Sequence, residues 1–389
     1  MKPRRIFYVT NARLPTEKAH GLATIKLAEA FARQRIEVVL FAPWRINPLG
    51  ADPYEYYGVK RNFKIIFLPN FDFLWLGFGE RFFFPLQLFS FSIAAAFWIL
   101  VRYGLVGKLD DTVIFSHDHI PLWFISFFAP SIFLDIHDYP ARNVFFRCVL
   151  RRMIGCAVQT KWKQGELVKD FGIPEFKIVY WPNGTDIECF DIPLGRDEAR
   201  RALNLPPEKR LVVYAGSLQA WKGVDTLVGA ARLLPTGVEV HIVGGGEAEV
   251  GKLRIKIHEM GIKNVVLVGQ RPWQEIPQWL KAAHVLVLPN TAHEEISLHY
   301  TSPMKLFEYM ASGTPIVTSD IPSIREIIDE TMGFFAAPDD ENSFREAIQQ
   351  ALAEPLEAMK RSARAQNEVR KYTWDARAKK VLEQMWAVR

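Results

Sequence analysis

Residues 211–243 read LVVYAGSLQAWKGVDTLVGAARLLPTGVEVHIV. The run 211–215 is short, apolar and β-rich, and the loop that follows holds Gly216, Ser217, Lys222 and Gly223. A helical stretch over 223–234 then leads to a second apolar run at 238–243. Strand, glycine turn, helix, strand is the repeating unit of a parallel sheet covered on both faces. Downstream the unit continues with strands at 265–268, 285–288, 315–318 and 333–336. Helices at 248–260, 273–282, 302–311 and 324–329 alternate with them, and two more from 341 onward close the chain. Upstream, apolar runs at 5–10, 36–42, 63–68, 112–116, 132–136, 153–159 and 177–181 alternate with helical segments. The first of these helices, 22–33, carries Leu22, Ile25, Leu27, Ala28, Phe31 and Ala32 at helical spacing. The expected fold is α/β, with two successive Rossmann-like domains and a ligand in the cleft at the carboxyl ends of their strands. The boundaries expected are 1–182 for the first domain and 210–370 for the second. The Pro-, Gly- and charge-rich stretch 183–209 reads as a connection, and 371–389 as a final helix able to pack back on the first domain.

The 389 residues suit two domains better than one core. With 49% hydrophobic and 23% charged residues the chain is globular, which excludes a disordered or fibrous protein. No repeat of solenoid or propeller length is present. Cys148, Cys156 and Cys189 make no close pair or metal-ligand spacing, a pattern of a reducing compartment. Of the net charge of +5, the first 190 residues hold an excess, with 23 Lys and Arg against 17 Asp and Glu. Such a domain suits anionic partners, phospholipid surfaces or phosphates, whereas no dense basic stripe with interleaved aromatics points to nucleic acid. The basic start Met1–Arg5 is followed by an apolar run too short for a signal peptide, so the expected location is cytoplasmic. Residues 82–101 lack any charge and are bounded by Arg81 and Arg102, long enough to span a bilayer. Three placements are open to them: spanning, burial as a domain helix, or partial insertion into a membrane surface. Strand-like runs on both sides weigh against spanning. The neighbouring Phe71, Phe73, Trp75, Phe78, Phe82, Phe83 and Phe84 suit an interface.

Motif absences narrow the chemistry. No Gly-x-Gly-x-x-Gly follows a strand, and no complete Gly-x-x-x-x-Gly-Lys-Ser/Thr occurs, since Leu253 follows Gly246–Lys252. No Asp-x-Asp is present to hold a divalent cation, so no metal ligands are expected. His293-Glu294-Glu295-Ile296-Ser297 has Ser297 where a zincin helix needs its second His. Four loops at strand ends remain. Gly21 stands at the start of the first helix, where backbone amides suit a phosphate or simply a glycine helix start. His117, in Ser116-His117-Asp118-His119, can donate to a substrate hydroxyl or phosphate. Lys222, in the loop with Ser217, sits at a helix start where a diphosphate gains charge and amides together. Gly245, between Gly244 and Gly246, makes a similar junction, which tight packing explains equally well. The fourth is Ser302-Pro303-Met304-Lys305-Leu306-Phe307-Glu308-Tyr309-Met310-Ala311. A helix from Ser302 with Pro303 in its first turn sets Lys305 and Glu308 on one face. There a carboxylate can accept from ribose hydroxyls while free amides meet phosphate oxygens.

In these residues the sequence resembles the retaining nucleotide-sugar glycosyltransferases of family 4, which have the two-Rossmann-domain (GT-B) architecture. The resemblance rests on the Gly21 loop, Ser116-His117-Asp118, Asp135-Ile136-His137-Asp138, Trp181-Pro182-Asn183-Gly184-Thr185-Asp186, Lys222-Gly223, the 244–246 glycines and the Glu308 helix. It implies a nucleotide-sugar donor held by the C-terminal domain, with Gly21 at the donor phosphate, His117 beside the transferred sugar, Lys222 on the diphosphate and Glu308 on the ribose. It implies front-face transfer without a metal or other cofactor, and a saccharide or lipid-linked acceptor entering from the N-terminal domain. A peripheral contact of that domain with the inner face of the plasma membrane would suit cell-surface polysaccharide or glycolipid synthesis. Two positions depart from the family pattern: Tyr300 stands where a Glu usually contacts the donor sugar, and Ser217 where an Arg usually partners the Lys. Lys305 is the candidate replacement for that cation, which makes His117, Lys222 and Lys305 the expected catalytic groups. Two other readings stay open. One is an epimerase of the same architecture using Asp118 and His137, and the other a non-catalytic nucleotide-sugar-binding subunit, suggested by Tyr300 and Ser217.

Overall fold

The computed structural model describes residues 4–140 and 142–388. The chain divides into two units, one of residues 1–183 with 374–389, the other of residues 184–373. The N-terminal unit holds seven strands: β1 Arg5–Val9, β2 Glu37–Pro43, β3 Lys64–Leu68, β4 Thr112–Ser116, β5 Ile132–Ile136, β6 Gly155–Val158 and β7 Ile178–Tyr180. They form one parallel sheet in the order β3-β2-β1-β4-β5-β6-β7. The C-terminal unit holds β8 Arg210–Ala215, β9 Val238–Val243, β10 Val265–Gly269, β11 Val285–Leu288, β12 Ile316–Ser319 and β13 Phe334–Ala336. Their order is β10-β9-β8-β11-β12-β13, again all parallel. The continuous apolar runs are the reason. Strands such as Val285–Leu288 are buried at every residue, which needs helices on both faces and hence crossover connections.

Local differences from the sequence reading have local causes. Residues 183–209, expected as a connection, include the short helices Ile187–Phe190 and Arg196–Ala202. These pack on the helices Met304–Ser312 and Ile276–Ala282 of the C-terminal unit. The expected helix 324–329 is the single turn Pro322–Arg325. Three helices, not two, follow residue 341: Glu341–Ala353, Pro355–Glu368 and Trp374–Ala387. Pro355 starts the second, since its missing N–H ends one helix and suits the first turn of the next.

The Trp374–Ala387 helix lies in the N-terminal unit, against the Ala19–Arg33 helix and strands β6 and β7. Its buried residues Trp374, Arg377, Ala378, Val381, Leu382 and Met385 make one stripe, and only Arg377 among them is charged. An ion pair between Arg33 and Asp375, at 2.7 Å, joins the same two helices at the surface.

Residues 82–101 fall in the helix Glu80–Ile99, which Leu100–Gly104 prolongs as a π-turn. Among the described residues this is the one helix long and apolar enough to cross a membrane. One face is built into the domain: Phe91, Ala95 and Ile99 join the core formed with Phe7, Val39 and Ile114. Burying each large apolar side chain there contributes about 1.5–3 kcal/mol, which ties the helix to its sheet. The other face is bare, with Phe82 70% and Phe97 67% exposed and Ile93 also open to solvent. The helix is therefore a half-buried layer of the domain.

Candidate functional site

In the C-terminal sheet the strand order reverses between β8 and β11, so the loops leaving the carboxyl ends of those strands flank a crevice. The loop after β8 carries Gly216, Ser217 and Lys222. The chain after β11 leads into the helix Met304–Ser312, which carries Lys305 and Glu308. Gly216 has φ +155°, and a Cβ on it would take the place of the Lys305 ammonium. That ammonium donates to Tyr214 Oη at 2.7 Å and lies 4.1 Å from the centre of the same ring. Tyr214 Oη in turn donates to the Ser217 carbonyl at 2.5 Å. Lys222 is 8% exposed, with its Nζ 3.3 Å from the centre of the Trp221 ring.

Neither lysine has a carboxylate within 4.0 Å among the described residues, and Glu308 makes no hydrogen bond there. Burial pushes Lys305 down to about 7 although Glu308 pulls it upward. Burial likewise pushes Glu308 up to about 7 against the pull of Lys305. Lys222 is held well below the ordinary lysine range, first by burial and then by the charge of Lys305. The aromatic faces supply part of the missing solvation through cation–π attraction. Two buried lysines with no carboxylate within ion-pair distance make a site where a bound anion would favour their charged forms.

The helix begins at Met304, two residues later than the expected start at Ser302, with Pro303 in the N-cap place at φ −70° and ψ 113°. A residue before proline is kept out of the helical region, so Ser302 cannot open the helix. Residues Ile296–Tyr300 instead form a π-turn, with Thr301 N–H bonded to the Ile296 carbonyl at 2.9 Å. This places Tyr300 in the turn and leaves the Met304 and Lys305 amides without helical partners. Gly245 lies in the turn between β9 and the helix Glu247–Glu259.

Gly21 and His117 belong to the N-terminal unit. Gly21 is in the first turn of the Ala19–Arg33 helix, where a Cβ would strike the Thr16 methyl and the Tyr57 hydroxyl. Close packing accounts for its missing side chain. The strand order of this sheet reverses between β1 and β4, which brings the loops after them together. His117 Nε2 is 3.1 Å from Thr10 Oγ1, and the Asn11 N–H donates to Asp118 at 2.7 Å. The His117 ring lies 5.6 Å from that of His137, at the end of β5.

Below these rings is a buried network that the sequence reading did not assemble. Asp135 is 0% exposed and accepts from Arg377 at 2.7 and 2.9 Å, from Gln159 at 2.7 Å and from His137 Nε2 at 3.1 Å. Arg377 is 1% exposed and also donates to the Trp181 and Pro182 carbonyls. Burial favours the neutral acid, but the charges of Arg377 and His137 outweigh it and hold Asp135 well below the usual carboxylate range. The buried Lys163 ammonium donates to the Ile136 and His137 carbonyls at 2.9 and 2.8 Å, fixing the loop that carries His137. The one available signal was Arg377 itself, a charge inside the apolar stripe of the last helix. Above this floor the N-terminal unit encloses an open cavity of about 970 Å³, lined by His20, His117, Asp118 and His137 among others.

Two parallel Rossmann-like domains, the second with Lys222 in the loop after β8 and Lys305 and Glu308 on the helix Met304–Ser312, define a two-domain α/β protein. Residues 209–354, within the C-terminal unit, match the model of the family Glycosyl transferases group 1. The chain is similar to a D-inositol 3-phosphate glycosyltransferase of Xylanimonas cellulosilytica. The two are 27% identical over 259 residues, a match covering 64% of this chain and 60% of that protein. The chain thus spans 60% of the length of this relative and of a similar one from Jonesia denitrificans. In structure it is similar to sucrose-phosphate synthase from Thermosynechococcus elongatus, with TM-score 0.78, 21% identity and 99% and 100% of the two chains covered. It is also similar to Anabaena HepE solved with UDP and glucose, with TM-score 0.73, 18% identity and 98% of each chain covered. These two likenesses show the GT-B-type fold.

Proposed function

We propose that this protein is a retaining, metal-independent glycosyltransferase that moves a sugar from a nucleotide-diphosphate donor to a saccharide or lipid-linked acceptor. The observation that carries the reading is the placing of Lys222 and Lys305, both desolvated and without a carboxylate within ion-pair distance, near Glu308 on the helix that presents Lys305. The lysines and the Met304 and Lys305 amides take the diphosphate, with Ser302, Pro303, Ser217 and Gly245 shaping its seat. Glu308 accepts from the ribose hydroxyls. The bond between the sugar C1 and the phosphate oxygen breaks as the acceptor oxygen bonds to C1 from the same face. The acceptor proton passes to the departing phosphate, whose growing charge Lys222 and Lys305 stabilise. His117 orients the transferred sugar.

The donor reading is tested by thermal shift with UDP, GDP, ADP and their sugar conjugates, with and without magnesium. One nucleotide is expected to raise the melting temperature without metal, and Glu308→Ala to abolish the rise. A folded protein that responds to none of them removes the reading. Binding without sugar turnover would leave a non-catalytic nucleotide-sugar-binding subunit.

The reading includes a peripheral membrane contact through the bare face of the Glu80–Ile99 helix. Its support is the exposure of Phe82, Ile93 and Phe97 beside Arg81 and Arg102. The protein is expected to co-sediment with phosphatidylglycerol vesicles, and Phe82→Asp with Phe97→Asp to release it. Equal sedimentation of wild type and double variant would remove the membrane contact.

A further inference from the structure

The buried stripe of the helix Glu80–Ile99 includes Gln87, Phe91, Ala95 and Ile99, so a fully buried amide stands at the head of an apolar row. The other polar side chains of this stretch bond within the helix. Ser92 donates to the Leu88 carbonyl at 2.7 Å and Ser90 to the Gln87 carbonyl at 3.0 Å. The Gln87 side chain reaches the loop after β1 instead. Its Nε2 donates to Asn11 Oδ1 at 3.0 Å, and its Oε1 accepts from Asn11 Nδ2 at 3.2 Å. A buried amide is costly unless both of its ends are bonded, and here the two amides satisfy each other. Two opposed bonds fix Asn11 in direction as well as in distance.

Asn11 in turn holds a group that faces His117. Its backbone N–H donates to Asp118 Oδ2 at 2.7 Å, and that oxygen lies 3.3 Å from His117 Nε2. The Asp118 backbone is tied separately, to Ser116 Oγ, so Asn11 places the carboxylate itself. The second neighbour of Nε2 is Thr10 Oγ1 at 3.1 Å, which accepts from the Ala12 N–H at 3.2 Å. Thr10, Asn11 and Ala12 are consecutive, and one short loop therefore sets both neighbours of this ring nitrogen. A carboxylate cannot donate, so the arrangement puts the ring hydrogen on Nε2 and leaves Nδ1 as the acceptor. Displacing Asn11 would part Asp118 from Nε2 and remove that preference.

We infer that Gln87 is a positioning residue for His117: through its two bonds to Asn11 it fixes the Asp118 carboxylate, and with it the tautomer and orientation of the imidazole. The assignment rests on the glycosyltransferase reading for what His117 does to the transferred sugar, and it extends that site to a residue of the apolar helix. Asn11, His117 and Asp118 line the cavity of the N-terminal unit, whereas Gln87 stands behind them and acts only through Asn11.

The test is long-range proton–nitrogen NMR on the full-length protein labelled with nitrogen-15 histidine, at about pH 8, above the ordinary histidine range. His117→Gln assigns the His117 signal by its loss. Wild type should show the Nε2–H pattern at His117, and Gln87→Met, which removes both bonds at similar volume, should shift it to a mixture of tautomers. That variant also leaves the buried Asn11 amide unpaired and loses stability for this reason alone, so Asn11→Leu with Gln87→Met is measured beside it. Replacing both partners by apolar groups should return the melting temperature to near the wild-type value while the His117 pattern stays altered. In sugar transfer both variants should lose kcat about tenfold, the effect of a misplaced group, with the donor KM unchanged because the proposed diphosphate and ribose seats are in the C-terminal unit. A wild-type His117 without the Nε2–H pattern, a pattern unchanged in Gln87→Met, or one restored together with the melting temperature in the double variant each overturns the assignment. The thermal shift with UDP, GDP and ADP on the same samples separates the two readings. If nucleotide binds while the His117 pattern is indifferent to Gln87, only the positioning role falls.

Discussion

Arg377→Met will lower the stability of the N-terminal unit by about 3–5 kcal/mol, the usual cost of leaving one member of a buried ion pair without its partner. Asp135 would keep its buried place with only Gln159 and His137 as donors among the described residues. The double replacement Asp135→Leu with Arg377→Met should recover most of the loss, because the cost comes from the orphaned charge more than from the missing pair. Calorimetric unfolding of the two variants against wild type checks this, and a double variant no better than the single one contradicts it. The pH dependence follows from the direction of the shift. A carboxylate held below its unfolded value of about 3.9 contributes stability above that pH and loses it as the pH falls toward the folded value. Wild type should thus weaken in acid through this pair, while the double variant lacks that contribution.

Lys222→Met will separate stability from activity. Removing a buried cation that has no carboxylate partner should raise the melting temperature of the ligand-free protein. The same change removes a group placed to meet charge on the departing diphosphate, and should lower kcat by about 10²–10³. The expected pair of results is a more heat-resistant protein with little transfer activity and a diminished UDP shift. A destabilised variant with normal turnover would make Lys222 a structural residue. Lys305 adds a pH signature. With its value pushed down to about 7, it loses its proton as the pH rises through neutrality, and UDP affinity should fall with it. Lys305→Met should show weaker binding without that alkaline decline, as read by titration of UDP between pH 6.5 and pH 8.5, roughly the span over which such a group discharges.

The second effect depends on strand order. Lys222 and Lys305 are 83 positions apart in sequence and meet because β8 and β11 are neighbours at the point where the order reverses. Thr10 and His117 meet for the same reason at β1 and β4. Sequence spacing places each of these residues at the end of a strand and says nothing of which strands are adjacent.

The continuous apolar runs by themselves determined two parallel-sheet domains, because strands buried on both faces leave no alternation and require helical crossovers. The chemistry of the loops at their ends, with Lys222, Lys305 and Glu308 at or beyond glycine and proline punctuation, was legible for the same local reason. Tertiary structure alone decided two things. It left one face of Glu80–Ile99 bare, and it returned the last helix to the first domain to set Arg377 under Asp135. Each depends on which surface packs against which, and a buried arginine finds its carboxylate through that packing, 242 residues away in sequence.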